Sequence, residues 1–401
     1  MDKDNSSSHS SPVVASSASD DATDRRIGAI AWLFFKLGTV AFGGPAAHLA
    51  MMEDEVVRRR RWMTSQEFLD LIAVTNLIPG PNSTEMAIHI GHRQAGWRGL
   101  VVAGTCFILP AFAIVLALSW LYVRYRSLPV TTGILLGVQP VVIAIIAQAL
   151  WRLGRTACKS RMLAGLGVVA AGASLAGVHE LLVLFGCAVF AGGVYLFRKR
   201  MQFGDGATLR SLAPFVLGAA SGVPASAPAA GLGSLFWIFA KIGSVLYGSG
   251  YVLVAFLRSD FVERHGWLTE AQLLDAVAIG QVTPGPLFTT ATFIGYVIAG
   301  PAGAVWSTLG IFLPAFIFVA ISAPFVPRLR SSALAAEVLD GLTMGSVALM
   351  LAVTLQLAYA SLTSPVSWAL GLGSLLVLLW FKLNATWLMA AGVVVGVLLF
   401  R

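Results

Sequence analysis

Charge is scarce in this chain: of 401 residues only 11% are Asp, Glu, Lys or Arg, and 57% are hydrophobic. A soluble domain carries about a quarter charged residues. Cysteine is scarcer still. Cys106, Cys158 and Cys187 have no paired spacing, which argues against a disulfide framework and against a zinc or iron–sulfur site. The six histidines form no ligand cluster; His48, His89 and His92 read as polar lining, so no metal site and no cofactor is expected. Walker motifs, nucleophile elbows and dinucleotide fingerprints are missing as well. That argues against an enzyme and against ATP-driven pumping by this chain alone.

What is present is apolar length. Mean hydropathy is +0.81, and runs of roughly 20 apolar residues, enough to cross a hydrocarbon core, recur along the chain. The fold class is an all-α polytopic membrane protein with the lipid bilayer as its partner. The net charge of +8 lies in short loops, so it reads as topology information and not as a nucleic-acid footprint.

Residues 1–24 are Ser-rich and acidic and read as a disordered tail, not a secretory signal. A first transport repeat is expected over 25–200, a basic loop and linker helix over 201–231, and a second repeat over 232–401. The division rests on an internal match. At an offset of 205, Lys36-Leu37-Gly38-Thr39 aligns with Lys241-Ile242-Gly243-Ser244, and Trp62, Thr64 and Asp70 align with Trp267, Thr269 and Asp275. At 204, Leu109-Pro110-Ala111-Phe112 aligns with Leu313-Pro314-Ala315-Phe316. So many identities with one gap make the repeat the most specific signal in the sequence. Basic residues favour the cytoplasm. Arg58–Arg61 put the first half's loop inside, and Asp260 and Glu263 cancel that bias in the second. The pattern is that of inverted-topology repeats, although Arg124 and Arg126 count against it. Whether each broken segment is a re-entrant hairpin or spans once stays open.

Each half is interrupted at matching places. Gly43-Gly44-Pro45 breaks the first apolar segment, and Asn76-Leu77-Ile78-Pro79-Gly80-Pro81-Asn82-Ser83 breaks the next. The second half has Tyr247-Gly248-Ser249 and Gln281-Val282-Thr283-Pro284-Gly285-Pro286. Proline cannot continue a helix, and the glycine between allows a sharp reversal. The helix that restarts after each break has N–H groups without intrahelical partners, and these favour an anion. Asn82, Ser83 and Thr84 add side-chain donors, as do Thr283, Thr289 and Thr290. Two such starts facing each other would make an anion site between the halves; the alternative is that the prolines only kink helices for packing. Lys36 and Lys241, deep in apolar segments at the same repeat position, attract the substrate or snorkel to the interface. Glu85 either binds a coupling proton or pairs with Lys36, and His48 is a second proton-coupling candidate. Asp70 and Asp275 read as structural.

These residues resemble the chromate ion transporter family. The likeness rests on Phe42-Gly43-Gly44-Pro45 with His48, on Trp62, on Asn76 to Ser83 and on Gly96 to Gly99. In the second half it rests on Lys241 to Tyr251 and Gly280 to Pro286. It covers almost the whole chain from about residue 27. The resemblance implies secondary export of chromate across the bacterial cytoplasmic (inner) membrane, driven by membrane potential or a proton gradient and giving chromate resistance. The rival is sulfate or other oxyanion uptake, or an anion channel, on the same scaffold. Chromate is the expected partner, with sulfate and a homodimer left open.

Overall fold

The computed structural model describes residues 13–42, 44–126, 128–203, 231–247, 250–322, 333–381 and 385–399. All regular structure among them is helical. The first half comprises α1 (Val13–Val40), α2 (Gly44–Glu53), a π-turn (Asp54–Arg59), α3 (Ser65–Thr75), α4 (Asn82–Tyr125), α5 (Pro129–Ala157), α6 (Arg161–Leu175) and α7 (Glu180–Phe203). The second comprises α8 (Leu232–Val245), α9 (Leu253–Leu257), a π-turn (Arg258–Arg264), α10 (Glu270–Val282), α11 (Thr290–Ser322), α12 (Ala333–Ser361), α13 (Pro365–Phe381) and α14 (Ala385–Leu399). The order of elements repeats as the sequence match requires. Helix α1 starts at Val13, inside the stretch read as a tail; the linker helix expected over 212–230 lies outside the described residues.

Local chemistry sets these boundaries. Thr64 and Thr269 each close a capping box, with Glu67 and Gln272 three residues on, so α3 and α10 start at matching points. Five helices among the described residues are long and apolar enough to cross a membrane. This is a multi-pass membrane protein.

Helix α4 is two helices in one. Ala95 and Gly96 leave the helical region, Gly96 at φ 57°, and Ala299 and Gly300 do the same in α11. The chain reverses there: a Cβ on Gly91 would overlap the carbonyl of Gly99, and one on Gly104 would stand 2.8 Å from Ile88 Cγ1. Residues 82–94 therefore run antiparallel beside 97–125. At 1.5 Å per residue the short arm reaches about 20 Å, less than the roughly 30 Å of hydrocarbon. From a reversal at the membrane surface the Pro-Gly-Pro tip would end at membrane depth, which is the geometry of a re-entrant hairpin. Backbone of this kind is tolerated there only where protein or a polar cavity surrounds it.

The halves interlock. Helix α4 packs on α11 and α5 on α12, each against its own counterpart; α5 packs on α14 as α7 packs on α12. These largest packings come as mirror pairs, which is the signature of a two-fold relation between the repeats.

Candidate functional site

The two Pro-Gly-Pro breaks meet the opposite halves at the molecule's centre. Gly80 donates its N–H to the Leu246 carbonyl at 2.8 Å, and Gly285 donates to the Ala41 carbonyl at 3.0 Å. Ala41 and Leu246 are themselves repeat equivalents, so one hydrogen bond is the other under the pseudo-two-fold. The tight backbone is needed for both. Gly80 has φ +142° and Gly285 φ +91°, and a Cβ on Gly285 would lie 2.7 Å from Ala111 Cβ. Around Gly80 the first obstacle is the Glu85 carboxylate, with Ala315, the equivalent of Ala111, at 3.7 Å. Each break is thus held between its own restarting helix and the other half.

Helix α4 restarts at Asn82, and its first i→i−4 bond runs from the Glu85 N–H to the Pro81 carbonyl at 3.0 Å. The N–H groups of Asn82 and Ser83 precede it and have no intrahelical acceptor. In the second half Leu287 and Phe288 hold the same place, in a short 3-10 turn leading into α11. The positive ends of both helix starts therefore lie at the breaks. The side chains contribute unequally. Thr283, Thr289 and Thr290 donate their hydroxyls to the carbonyls of Ile279, Pro286 and Leu287 at 3.0, 2.8 and 2.8 Å. Those donors are spent, which corrects the expectation that they are free for an anion. Asn82 gives its amide N–H to Asn76 Oδ1 at 2.7 Å. Thr84 Oγ1, both Glu85 oxygens and Gln281 Nε2 are buried without a hydrogen-bond partner among the described residues. Unspent polar groups thus gather mostly at the first break.

His48 supports the crossing point. Its Nε2 lies 3.0 Å from the Ala41 carbonyl, the same oxygen that accepts from Gly285, so this nitrogen carries the proton. The ring packs edge-on against Phe107 with centroids 5.6 Å apart. Gly44 and Pro45 open α2, Gly44 at φ +78°. Gly43 and Gly248, also named from the sequence, lie outside the described residues.

The two lysines are not free cations. Lys36 Nζ donates to Glu55 Oε1 at 2.8 Å, and Lys241 Nζ donates to Asp260 Oδ1 at 2.7 Å. The pairing of Lys36 with Glu85 that the sequence left open is not made. Glu55 is also reached by Arg60 at 3.3 Å, and Asp260 by Arg264. Both carboxylates sit in the duplicated π-turns, where the N–H groups of Arg60 and His265 reach back five residues to Glu55 and Asp260. Such bulges recur at functional sites. Sequence reasoning missed this pair, although the offset of 205 that aligns Lys36 with Lys241 also aligns Glu55 with Asp260. A cavity of about 350 Å³ adjoins the first pair, lined by Lys36, Asp54, Glu55 and Arg59 among others.

Each repeat thus carries a break bound by the other half, a helix start at that break and a lysine–carboxylate pair. Residues 28–192 and 233–397 match the chromate transporter family, one block in each half. The chain belongs to the chromate transporter family. It is 38% identical to the chromate transport protein of Pseudomonas aeruginosa over 336 residues, 81% of this chain and 79% of that one. It is 30% identical to the chromate transport protein of Cupriavidus metallidurans over 371 residues, 92% of each. An uncharacterized transporter of Bacillus subtilis matches over 127 residues at 31% identity, 32% of this chain and 71% of the relative. No solved structure matches the chain. Members of the chromate transporter family are transport proteins, not enzymes.

Proposed function

We propose that this transporter exports chromate from the cytoplasm across the bacterial cytoplasmic membrane and so confers chromate resistance. Family membership and the relatives' names support the substrate. The observation that supports the site is the reciprocal bond of each Pro-Gly-Pro glycine to the other half, which holds the backbone before each helix start against the opposite repeat. A tetrahedral dianion there takes hydrogen bonds from the N–H groups of Asn82 and Ser83 and from Gln281 Nε2. Asn76, Pro79, Pro81, Pro284 and Pro286 shape the backbone, and Lys36 and Lys241 collect the anion on its way in and out. Outward movement is favoured by an inside-negative potential, by about 2.3 kcal/mol per charge per 100 mV.

Glu85 is the coupling group in this reading. An ionised carboxylate buried without a donor is costly, so the charge on Glu85 is tied to that of the anion beside it, and a proton bound there moves with the change of access. Access alternates as one repeat rocks against the other.

The test is labelled chromate flux in inverted membrane vesicles, with and without an imposed proton gradient and excess sulfate. Energised accumulation above vesicles lacking the protein is the expected result. Competition by sulfate would define a shared dianion site. Accumulation only in right-side-out vesicles would overturn export in favour of uptake.

A further inference from the structure

The short arm of α4, residues 82–94, carries polar groups that packing does not explain. Thr84 and Glu85 are 0% exposed and His89 is 3% exposed. Thr84 Oγ1, both Glu85 oxygens and His89 Nε2 have no hydrogen-bond partner among the described residues, whereas buried polar atoms are normally paired. Glu85, His89 and His92 lie four and three residues apart, so they fall on one stripe of the arm. At 1.5 Å per residue the stripe rises about 10 Å. One end is the Pro-Gly-Pro break. The other is the reversal at Ala95 and Gly96, where half-buried His92 stands edge-on to the exposed ring of Trp97, centroids 6.0 Å apart.

The second hairpin has no such stripe. At an offset of 205 the matching residues are Thr290, Ile294 and Val297, and at 204 they are Thr289, Phe293 and Tyr296. None of these titrates near neutral pH. Around the first stripe, Tyr247 follows the Leu246 whose carbonyl holds Gly80, and lies close enough to Glu85 to interact with it electrostatically. His89 and His92 act on each other in the same way. At the reversal Glu67 of α3 pairs with Arg93. Between these ends the packing is apolar, with Ile88 against Leu100, Ala315 and Val319. Arg93 and Arg98 flank the reversal and are exposed; basic residues mark the cytoplasmic side.

We propose that His89 and His92 form a proton path that unloads Glu85 to the cytoplasm. The Glu85 carboxylic acid gives its proton to one ring nitrogen of His89 and is left a carboxylate. His89 gives up a proton from its other nitrogen to His92, which passes one on to water at the reversal. Each imidazole ends neutral, and the net change is one proton moved from Glu85 to bulk water. Side chains at these spacings have Cβ atoms about 5–6 Å apart, so a change of rotamer or one bridging water closes each gap. The path rests on the reading of Glu85 as the coupling group.

The experiment follows full-length protein in inverted vesicles with an acidic lumen, given labelled chromate and labelled sulfate in parallel; the anion that the wild type accumulates is measured. The cytoplasmic face is outside, so Glu85 unloads outward along the path. His89→Gln is expected to slow accumulation about tenfold, because removing a positioned proton carrier slows transfer by on the order of 10²-fold and unloading then limits the cycle. Adding Glu85→Gln leaves no proton to unload, so the double variant is expected to return to the rate of Glu85→Gln alone. A histidine that only supports the fold predicts a double variant as slow as His89→Gln. His92→Gln is expected to slow the cycle as well and is read by the same rescue if His89→Gln does not accumulate in the membrane; His92→Glu, which still titrates, is expected to keep the rate. An unchanged rate in either glutamine variant, or no rescue by Glu85→Gln, overturns the path. If Glu85→Gln alone is then insensitive to the pH gradient, the coupling group stands without the path. If Glu85→Gln still follows the gradient, the coupling group fails and the path with it. A wild type that accumulates neither anion overturns transport and path together.

Discussion

The first-half hairpin and the second-half hairpin descend from one pattern and end in different environments. Both begin with a capping box after a Trp, carry an aspartate one turn on, and stop at Pro-Gly-Pro. Yet α3 is a half-exposed amphipathic helix, and α10 is enclosed. The difference is written in side-chain size. Where α3 has Leu71, Ile72 and Thr75, α10 has Ala276, Val277 and Gly280. Small residues on several faces let neighbouring helices approach closely, as is usual where helices pack in membranes. Repeat homology fixes the path of the chain, and the residues between the landmarks decide which copy is enclosed.

The largest effect should come at the breaks. Gly285→Val and Gly80→Val should each abolish chromate flux, since both need positive φ and neither has room for a branched side chain. Substitution by Ala sharpens the comparison. The Gly285→Ala Cβ meets Ala111 at 2.7 Å and the Gly38 carbonyl at 3.2 Å, whereas the Gly80→Ala Cβ meets the movable end of Glu85. Flux should fall at least tenfold more in Gly285→Ala; equal losses would break the argument from the obstacle.

Next come the lysines. Lys241→Ala leaves Asp260, whose side chain is 1% exposed, with Arg264 as its remaining partner among the described cations, and should lower both protein level and flux. Lys36→Ala leaves Glu55, 10% exposed, still facing Arg59 and Arg60, and removes a lysine that is itself 42% exposed. It should cost several-fold in flux with little loss of protein. Adding Asp260→Asn to Lys241→Ala should restore part of the level, because the buried charge that lost its lysine goes too; quantitative blotting beside the flux assay reads both.

A smaller, qualitative effect is expected at Glu85. Glu85→Gln keeps the shape, and Thr290 stands in its place in the second half, so the protein should fold normally and lose the dependence of flux on an imposed pH gradient. Retention of that dependence would remove the carboxylate from the coupling scheme.

The smallest contrast is at the caps. Thr64→Ala and Thr269→Ala should each destabilise by about 1 kcal/mol, seen as a lower melting temperature in detergent. The acid response should differ. The Thr64 N–H, 2.8 Å away, holds the Glu67 carboxyl below its ordinary range. A depressed folded-state pKa gives stability that is present above the unfolded value and lost as pH falls through the folded one. Gln272 does the same work in the second half, by accepting from the Thr269 N–H at 2.9 Å, without titrating. Glu67→Gln should therefore remove that acid sensitivity.

Much of this architecture was legible beforehand for a local reason. Pro79, Gly80 and Pro81 act on their own φ and ψ angles, and their duplication at 284–286 needs no knowledge of neighbours. The Ala95–Gly96 reversal was harder to read. It has no proline and is only glycine placed where a turn is needed, so the sequence leaves both a broken spanning helix and a re-entrant hairpin open. The spent hydroxyls of Thr289 and Thr290 were misjudged because a hydroxyl chooses between its own backbone and a ligand only once the turn geometry exists. Glu55 and Asp260 were overlooked because they sit in charged stretches that read as topology signals.

By itself the sequence determined a membrane-spanning helical chain, two repeats of it, and where each would break, because hydropathy, proline and glycine operate over a few residues. Tertiary structure alone decided that each break is bound by the other half, that the lysines face Glu55 and Asp260, and that Asp275 is tied to Tyr122 and Gln139 of the first half. Those outcomes depend on close approach between residues as distant as Tyr122 and Asp275, 153 positions apart. Side-chain volume along the whole interface sets that approach, and no local pattern encodes it.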